Sequence, residues 1–435
     1  MTVSYSPTHQ SAAPPAPWAV DPERWPDVAH PPRASAPRTA VARRIIERAL
    51  TRIPLRIRHG GDGHPTGGVP LQTGALPTLT LHRPELFHRR IGADGLIGFG
   101  ESYMAGEWDT DDLVGTLTVL ASHVDDLVPA PLRRLRGAWA RRRPEQHRNT
   151  PEGARDNIHR HYDLSNDLFT LFLDPSMSYS SAVFAAFPAS PATFTAAQHR
   201  KIDRLLDLAD VGPGTRLLEI GTGWGELAIR AAARGARVLT VTLSEEQRDL
   251  ARRRVAAAGL SDRVTVELRD YRHVQGSFDA VVSVEMIEAV GAEYWTAYFS
   301  ALRGLLAPGG RVALQAITMP HERMLVTSRT HTWISKYIFP GGLIPSREAI
   351  ARESAAAGLT IVEDIGYGDH YAETLRLWRE EFDRQAASVA ALGFDAVFRR
   401  MWDFYLAYSE AGFRSRYLDV RQILLSADPT PETVR

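Results

Sequence analysis

A chain of 435 residues exceeds one ordinary core, so two domains are the natural expectation. Lys plus Arg and Asp plus Glu balance at 51 each, which argues against nucleic acid or another polyanionic partner and confines any basic surface to a patch. The absence of cysteine excludes disulfides, zinc–thiolate sites, iron–sulfur clusters and cysteine nucleophiles.

Residues 1–38 are rich in Pro, Ala and Ser and read as a disordered leader, with no basic head and apolar run of a signal peptide. No apolar run approaches the ~20 residues of a membrane span, so a cytoplasmic location is expected, with peripheral membrane contact left open. Residues 39–128 read as a small mixed domain. In it TLTLHRPELFHRRI is a strand pair or a strand then a helix, and DLVGTLTVLASHVDDLV has helical spacing from Asp112. The stretch PLRRLRGAWARRR, within a basic linker over 129–150, carries six arginines and no acid. Such a run is a solvated segment or a contact for anionic lipid.

From Thr215 the pattern changes. RLLEIG, ARVLTVTL, RVTVEL, FDAVVSV and GRVALQAIT are largely apolar runs separated by helical stretches, as in a parallel sheet covered on both faces. TIVEDIGYG and RQILL extend its far edge, and the residues between Thr318 and Leu359 form an insertion over the carboxyl edge, where such sheets bind ligands.

LLEIGTGWG turns a strand into a helix near Glu226 through Gly221, Gly223 and Gly225. The dinucleotide fingerprint places its third glycine one residue later, and Glu226 would oppose a pyrophosphate, which argues against NAD. The acid before the loop, Glu219, makes the stretch resemble motif I of class I S-adenosylmethionine methyltransferases. SVEMIEAVG places Glu285 and Glu288 at the end of another strand. Glu285 reads as a cap or solvated group at the helix start. His159 and His161 have no carboxylate at ligand spacing, so no metal site is read.

Together HYDLSNDLFTLFLDPSMSYSSAVF, LLEIGTGWGELA, EMIEAVG, KYIFPGG, YGDHYAETLRLW and FYLAYSEAGFRSR closely resemble the cyclopropane-fatty-acid synthase family. The wording of EMIEAVG and QAITMPHERM is most similar to its actinobacterial members that build 10-methyl-branched chains. GLIGFGESYMAGEWDTDDL resembles the N-terminal domain of the long, phospholipid-acting members. The resemblance implies an α/β fold with a Rossmann-like seven-stranded sheet and helical insertions over 151–435, preceded by a lipid-presenting domain over 39–128.

It further implies methyl transfer from S-adenosylmethionine to the cis double bond of a phospholipid acyl chain, through a carbocation. Tyr179, Ser180, Glu219, Gly221, Gly223, Trp224, Thr242, Leu243, Gln247, Asp270 and Tyr271 fall at cofactor positions. The family's general base is a bicarbonate, and its holders fall on Glu288, Ile317 and Tyr371, with Ser181 and Gln315 standing where cysteine and histidine are usual. The product implied is a 10-methylene chain made at the inner membrane face, with a reductase partner and a homo-oligomeric assembly. A cyclopropane product, an inactive lipid-binding scaffold and a small-metabolite methyltransferase are the alternatives.

Overall fold

In the computed structural model, which describes residues 20–50, 52–60, 76–124 and 165–427, the N-terminal segment builds a three-stranded sheet. Its strands are β1 (Arg56–His59), β2 (Thr78–Leu81) and β3 (Trp108–Thr110). TLTLHRPELFHRRI resolves as strand then helix, because Pro84 opens helix Pro84–Asp94 in a first turn where its missing N–H costs nothing. Asp112 caps helix Leu113–Ser122 by accepting from the Gly115 N–H at 2.8 Å.

The leader expected over 1–38 does not reach that far. Val28 is buried, the Trp25 indole N–H donates to Asp395 at 2.8 Å, and helix Ala36–Leu50 has already begun. Two apolar side chains anchor a segment that its average composition marks as unable to pack. The basic linker over 129–150 and the first four residues of the HYDLSN motif lie outside the described residues.

Among the described residues, the N-terminal segment has no separate core. Phe99 stacks on Trp108 with ring centroids 4.8 Å apart, and both rings meet Phe404 on helix Ala396–Arg414. One buried cluster runs from Ile53 and Leu55 through Trp108 to Trp378 and Trp402. Two units by chain order therefore share one apolar interior.

The second sheet contains all seven expected strands: β4 (Arg216–Ile220), β5 (Arg237–Thr242), β6 (Val264–Leu268), β7 (Phe278–Val284), β8 (Leu306–Thr318), β9 (Thr360–Gly366) and β10 (Asp419–Ser426). Their order is β6-β5-β4-β7-β8-β10-β9, parallel except for β10, which runs antiparallel to both neighbours. Chain order reverses between β4 and β7, and a crevice opens at the carboxyl ends of strands at such a switch point. Those two strand ends carry GTGWG and EMIE, so topology brings the glycine loop beside both glutamates.

Helices His321–Thr327, Trp333–Tyr337 and Arg347–Ala356 form the insertion between β8 and β9. Glu101 of the N-terminal segment fixes it, accepting from Lys336 Nζ at 2.5 Å and from the Tyr337 hydroxyl at 2.9 Å. Gly100 lies so close to the Trp333 indole that a Cβ there would overlap it. The KYIFPGG motif is thus a joint between the two halves of the chain.

Candidate active site

Three glycines take the chain from β4 into helix Glu226–Ala233. Gly221, Gly223 and Gly225 have φ of +97°, +51° and +91°, the region that a side chain disfavours. A Cβ on Gly221 would meet Met286 at 2.7 Å, while Gly223 faces open space. The loop walls a cleft with about 1240 Å³ of empty space, its open mouth included.

The cofactor residues expected from sequence all line this cleft. Glu219, Gly221, Gly223 and Trp224 come from the end of β4, and Thr242, Leu243 and Gln247 from the end of β5. Asp270 and Tyr271 follow β6, and Tyr179 and Ser180 close the opposite side. Local bonds hold these groups in place. Thr242 Oγ1 donates to Gln247 Oε1 at 2.9 Å, and the Trp224 indole N–H donates to Asn166 of the HYDLSN motif at 2.7 Å. Burial alone would raise the Asp270 carboxyl, but hydrogen bonds from the Arg272 side chain and backbone hold it below the usual range.

Glu219 is different. Burial pushes its carboxyl up to about 8, and its Oε2 is buried without a hydrogen-bond partner. A buried acceptor left unsatisfied beside a cleft is suited to a cationic ligand group. S-adenosylmethionine carries an ammonium and a sulfonium and no phosphate, so the donor set fits it. Glu226, which would have opposed a pyrophosphate, is bound by Arg254 at 2.7 Å and His199 at 2.9 Å.

At the inner end of the cleft, β7 gives way to Glu285. Its φ is +53°, which costs a residue with a side chain roughly 1 kcal/mol. The Gln315 carbonyl holds its N–H at 2.7 Å. Three donors converge on the carboxylate. The Ser181 N–H reaches Oε1 at 2.9 Å, Gln315 Nε2 reaches Oε1 at 2.8 Å, and the Tyr371 hydroxyl reaches Oε2 at 2.6 Å. Gln315 is itself fixed, its Oε1 accepting from Gln422 Nε2 at 3.0 Å.

The reading of Glu285 as a solvated or capping group is therefore corrected: it is the hub on which Ser181, Gln315 and Tyr371 meet. Glu288 lies beside it, with Oε1 accepting from the Ile317 N–H and Oε2 buried without a partner. Burial, and then the Glu285 charge, push Glu288 up to about 8. Burial also raises Glu285, although its three donors work against that rise. The Glu288 carbonyl takes the Leu343 N–H at 2.7 Å and so ties the acid to the inserted segment.

Lys201 is a cleft residue that the sequence reading missed. Its Nζ donates to Ser180 Oγ at 2.7 Å, and burial pulls its ammonium down to about 8 despite the Glu285 charge. The signal was present: Lys201 falls on the buried stripe of helix Phe194–Leu208, between Ala197 and Leu205. For Glu285 the signal was a second acid three residues before Glu288 at a strand end.

Bicarbonate does not fit these residues. The Ser181 N–H, Gln315 and Tyr371 already serve a carboxylate, and Ser181 Oγ turns away to the Ala182 carbonyl at 3.1 Å. A second anion would also have to sit against the Glu285 carboxylate.

Sheet order, glycine turn and strand-end cleft define an S-adenosylmethionine-dependent methyltransferase of the class I fold. Residues 149–423 match the model of the mycolic acid cyclopropane synthetase family, and the chain belongs to that family. It is 56% identical over 420 residues to the tuberculostearic acid methyltransferase UfaA1 of Mycobacterium tuberculosis, covering 95% of this chain and 97% of the relative. It is 33% identical over 365 residues to the cyclopropane-fatty-acyl-phospholipid synthase of Escherichia coli, covering 82% and 90%. Among solved structures it resembles the cyclopropane synthase MmaA2 from Mycobacterium tuberculosis, with 31% identity, a TM-score of 0.58, and 62% of this chain and 97% of that one covered. The mycolic acid cyclopropane synthase CmaA1, solved with SAH and CTAB, gives 30% identity, a TM-score of 0.57, and coverage of 65% and 98%.

Proposed function

We propose that this protein methylates the cis double bond of an unsaturated fatty acyl chain in a phospholipid and yields a 10-methylene chain. The observation that carries this reading is Glu285: a carboxylate with three protein donors, in the wall of the cofactor cleft. An alkene needs no base to attack a methyl group. It needs alignment, exclusion of water and a later acceptor for one proton.

When bound, S-adenosylmethionine supplies an electrophilic methyl group. The residues of this chain do the rest. Gly221 and Gly223 let the backbone approach the ligand, and Glu219 offers its unsatisfied oxygen to the ligand's cationic groups. Tyr179, packed on Phe169 at 5.1 Å and on Trp378 at 5.1 Å, forms part of an aromatic wall beside the cleft. Aromatic faces stabilise a nearby cation by roughly 0.5–2 kcal/mol each.

The methylene product is favoured over a cyclopropane by the 56% identity to a tuberculostearic acid methyltransferase. Such a product calls for a reductase to complete the methyl branch. No helix among the described residues is long and apolar enough to cross a membrane. Peripheral attachment at the inner membrane face, as a homo-oligomer, completes the proposal. It is tested by incubating the protein with methyl-labelled S-adenosylmethionine and vesicles of dioleoyl phospholipid. Label is expected in the acyl chains, and its absence there overturns the reading.

A further inference from the structure

We infer that Glu285 is the general base of this enzyme, a built-in carboxylate standing where its relatives' chemistry would call for a bound small anion. The inference rests on the proposed acyl methylation and adds the identity of the proton acceptor.

Two independent observations carry it. The Ser181 N–H, Gln315 Nε2 and Tyr371 hydroxyl form a three-donor cradle shaped for a planar carboxylate-like anion, and the Glu285 carboxylate fills it at 2.9, 2.8 and 2.6 Å. The backbone of Glu285 also stands at φ +53°, a conformation favouring glycine, so the fold tolerates strain to put this side chain there. A carboxylate has about four lone-pair sites, so three donors leave it able to accept a proton. Glu285 also lines the cofactor cleft.

Burial raises the Glu285 carboxyl, and its three donors and the Lys201 charge work against that rise. Lys201 lines the same cleft and favours the charge, whereas burial holds Glu288 up to about 8 and so keeps it protonated near neutrality.

The alkene π pair forms a bond to the methyl carbon as the carbon–sulfur bond breaks, its electrons remaining on sulfur. The other alkene carbon becomes cationic. A hydrogen moves with its electron pair from the methylated carbon to that cation, leaving a tertiary cation. Glu285 then takes a proton from the transferred methyl, and the released C–H pair becomes the exocyclic double bond. The proton leaves Glu285 for solvent once product departs.

The test compares wild type, Glu285→Gln and Glu285→Gly in buffer stripped of carbon dioxide, with and without added bicarbonate. Glycine suits the positive φ and empties the cradle, and glutamine preserves its shape. Melting temperature and SAH affinity check folding in both. Wild-type turnover is expected to ignore bicarbonate, and Glu285→Gln to lose about 10²–10⁴-fold without rescue, the range for a lost general base. Glu285→Gly should lose as much and recover saturably on adding bicarbonate. A second readout needs no turnover: the 13C-bicarbonate resonance should broaden saturably with Glu285→Gly and not with wild type. Bicarbonate-dependent wild-type turnover, near-normal turnover of Glu285→Gln, or saturable broadening by wild type each overturns the inference. A wild-type protein that labels no acyl chain overturns the proposed function instead, and the resonance measurement still reads the cradle.

Discussion

The Tyr371 hydroxyl donates to Glu285 Oε2 at 2.6 Å, joining helix Gly368–Arg384 to the end of β7 across 86 residues of sequence. Hydrogen bonds to charged groups contribute about 1.5–3 kcal/mol. Burial and the Glu285 charge together push the tyrosine well above its ordinary range, so it remains a donor throughout the working pH range. Tyr371→Phe should therefore lower turnover about 10- to 100-fold while SAH affinity, measured by calorimetry, stays within twofold. Equal losses in both would show that the hydroxyl serves the cofactor cleft as a whole.

Cofactor binding is expected to depend on pH through Glu219. Its carboxyl rests at about 8 in the folded protein against an ordinary 4.5, so the free protein holds this proton throughout that window. A raised folded value means that the group's contribution to stability is complete below its ordinary pKa and is lost as pH rises towards 8. The ammonium that SAH shares with S-adenosylmethionine prefers the ionised form and must expel the proton. SAH affinity should then rise as pH climbs from 6 to 8, by up to about tenfold per unit. Lys201, at about 8, titrates only at the top of that window. Glu219→Gln should flatten the slope, and a slope that persists in the variant removes Glu219 from the account.

Gly100→Ala should destabilise the protein even though alanine suits a helix better by roughly 0.5–1 kcal/mol. Gly100 lies in helix Leu96–Met104 directly against the Trp333 indole, and overpacking of that kind costs typically 1–3 kcal/mol. The urea midpoint should fall with an unchanged m-value. A midpoint that rises would mean that the joint between insertion and N-terminal segment is loose.

Most of the sheet was legible because each strand is a short apolar run closed by turn residues, and LLEIGTGWG announced the loop directly. The eleven positions expected to meet the cofactor followed from motif wording, and they line one cleft. The anchoring of residues 20–38 was not legible, since it depends on Trp25 meeting Asp395 some 370 positions away. Nor could periodicity reveal that Phe99, Trp108 and Phe404 share a core. Glu285 escaped for a related reason. Its meaning lies in three donors drawn from three distant segments, whereas its local sequence reads as an ordinary helix start.

The most direct test of the central claim is the NMR spectrum of the acyl product made from 13C-methyl S-adenosylmethionine and dioleoyl phospholipid. The account predicts a labelled carbon in the exocyclic methylene region, bonded to the chain by a double bond. Label in a cyclopropane methylene would contradict the product assignment, and label absent from the acyl chain would contradict the account as a whole.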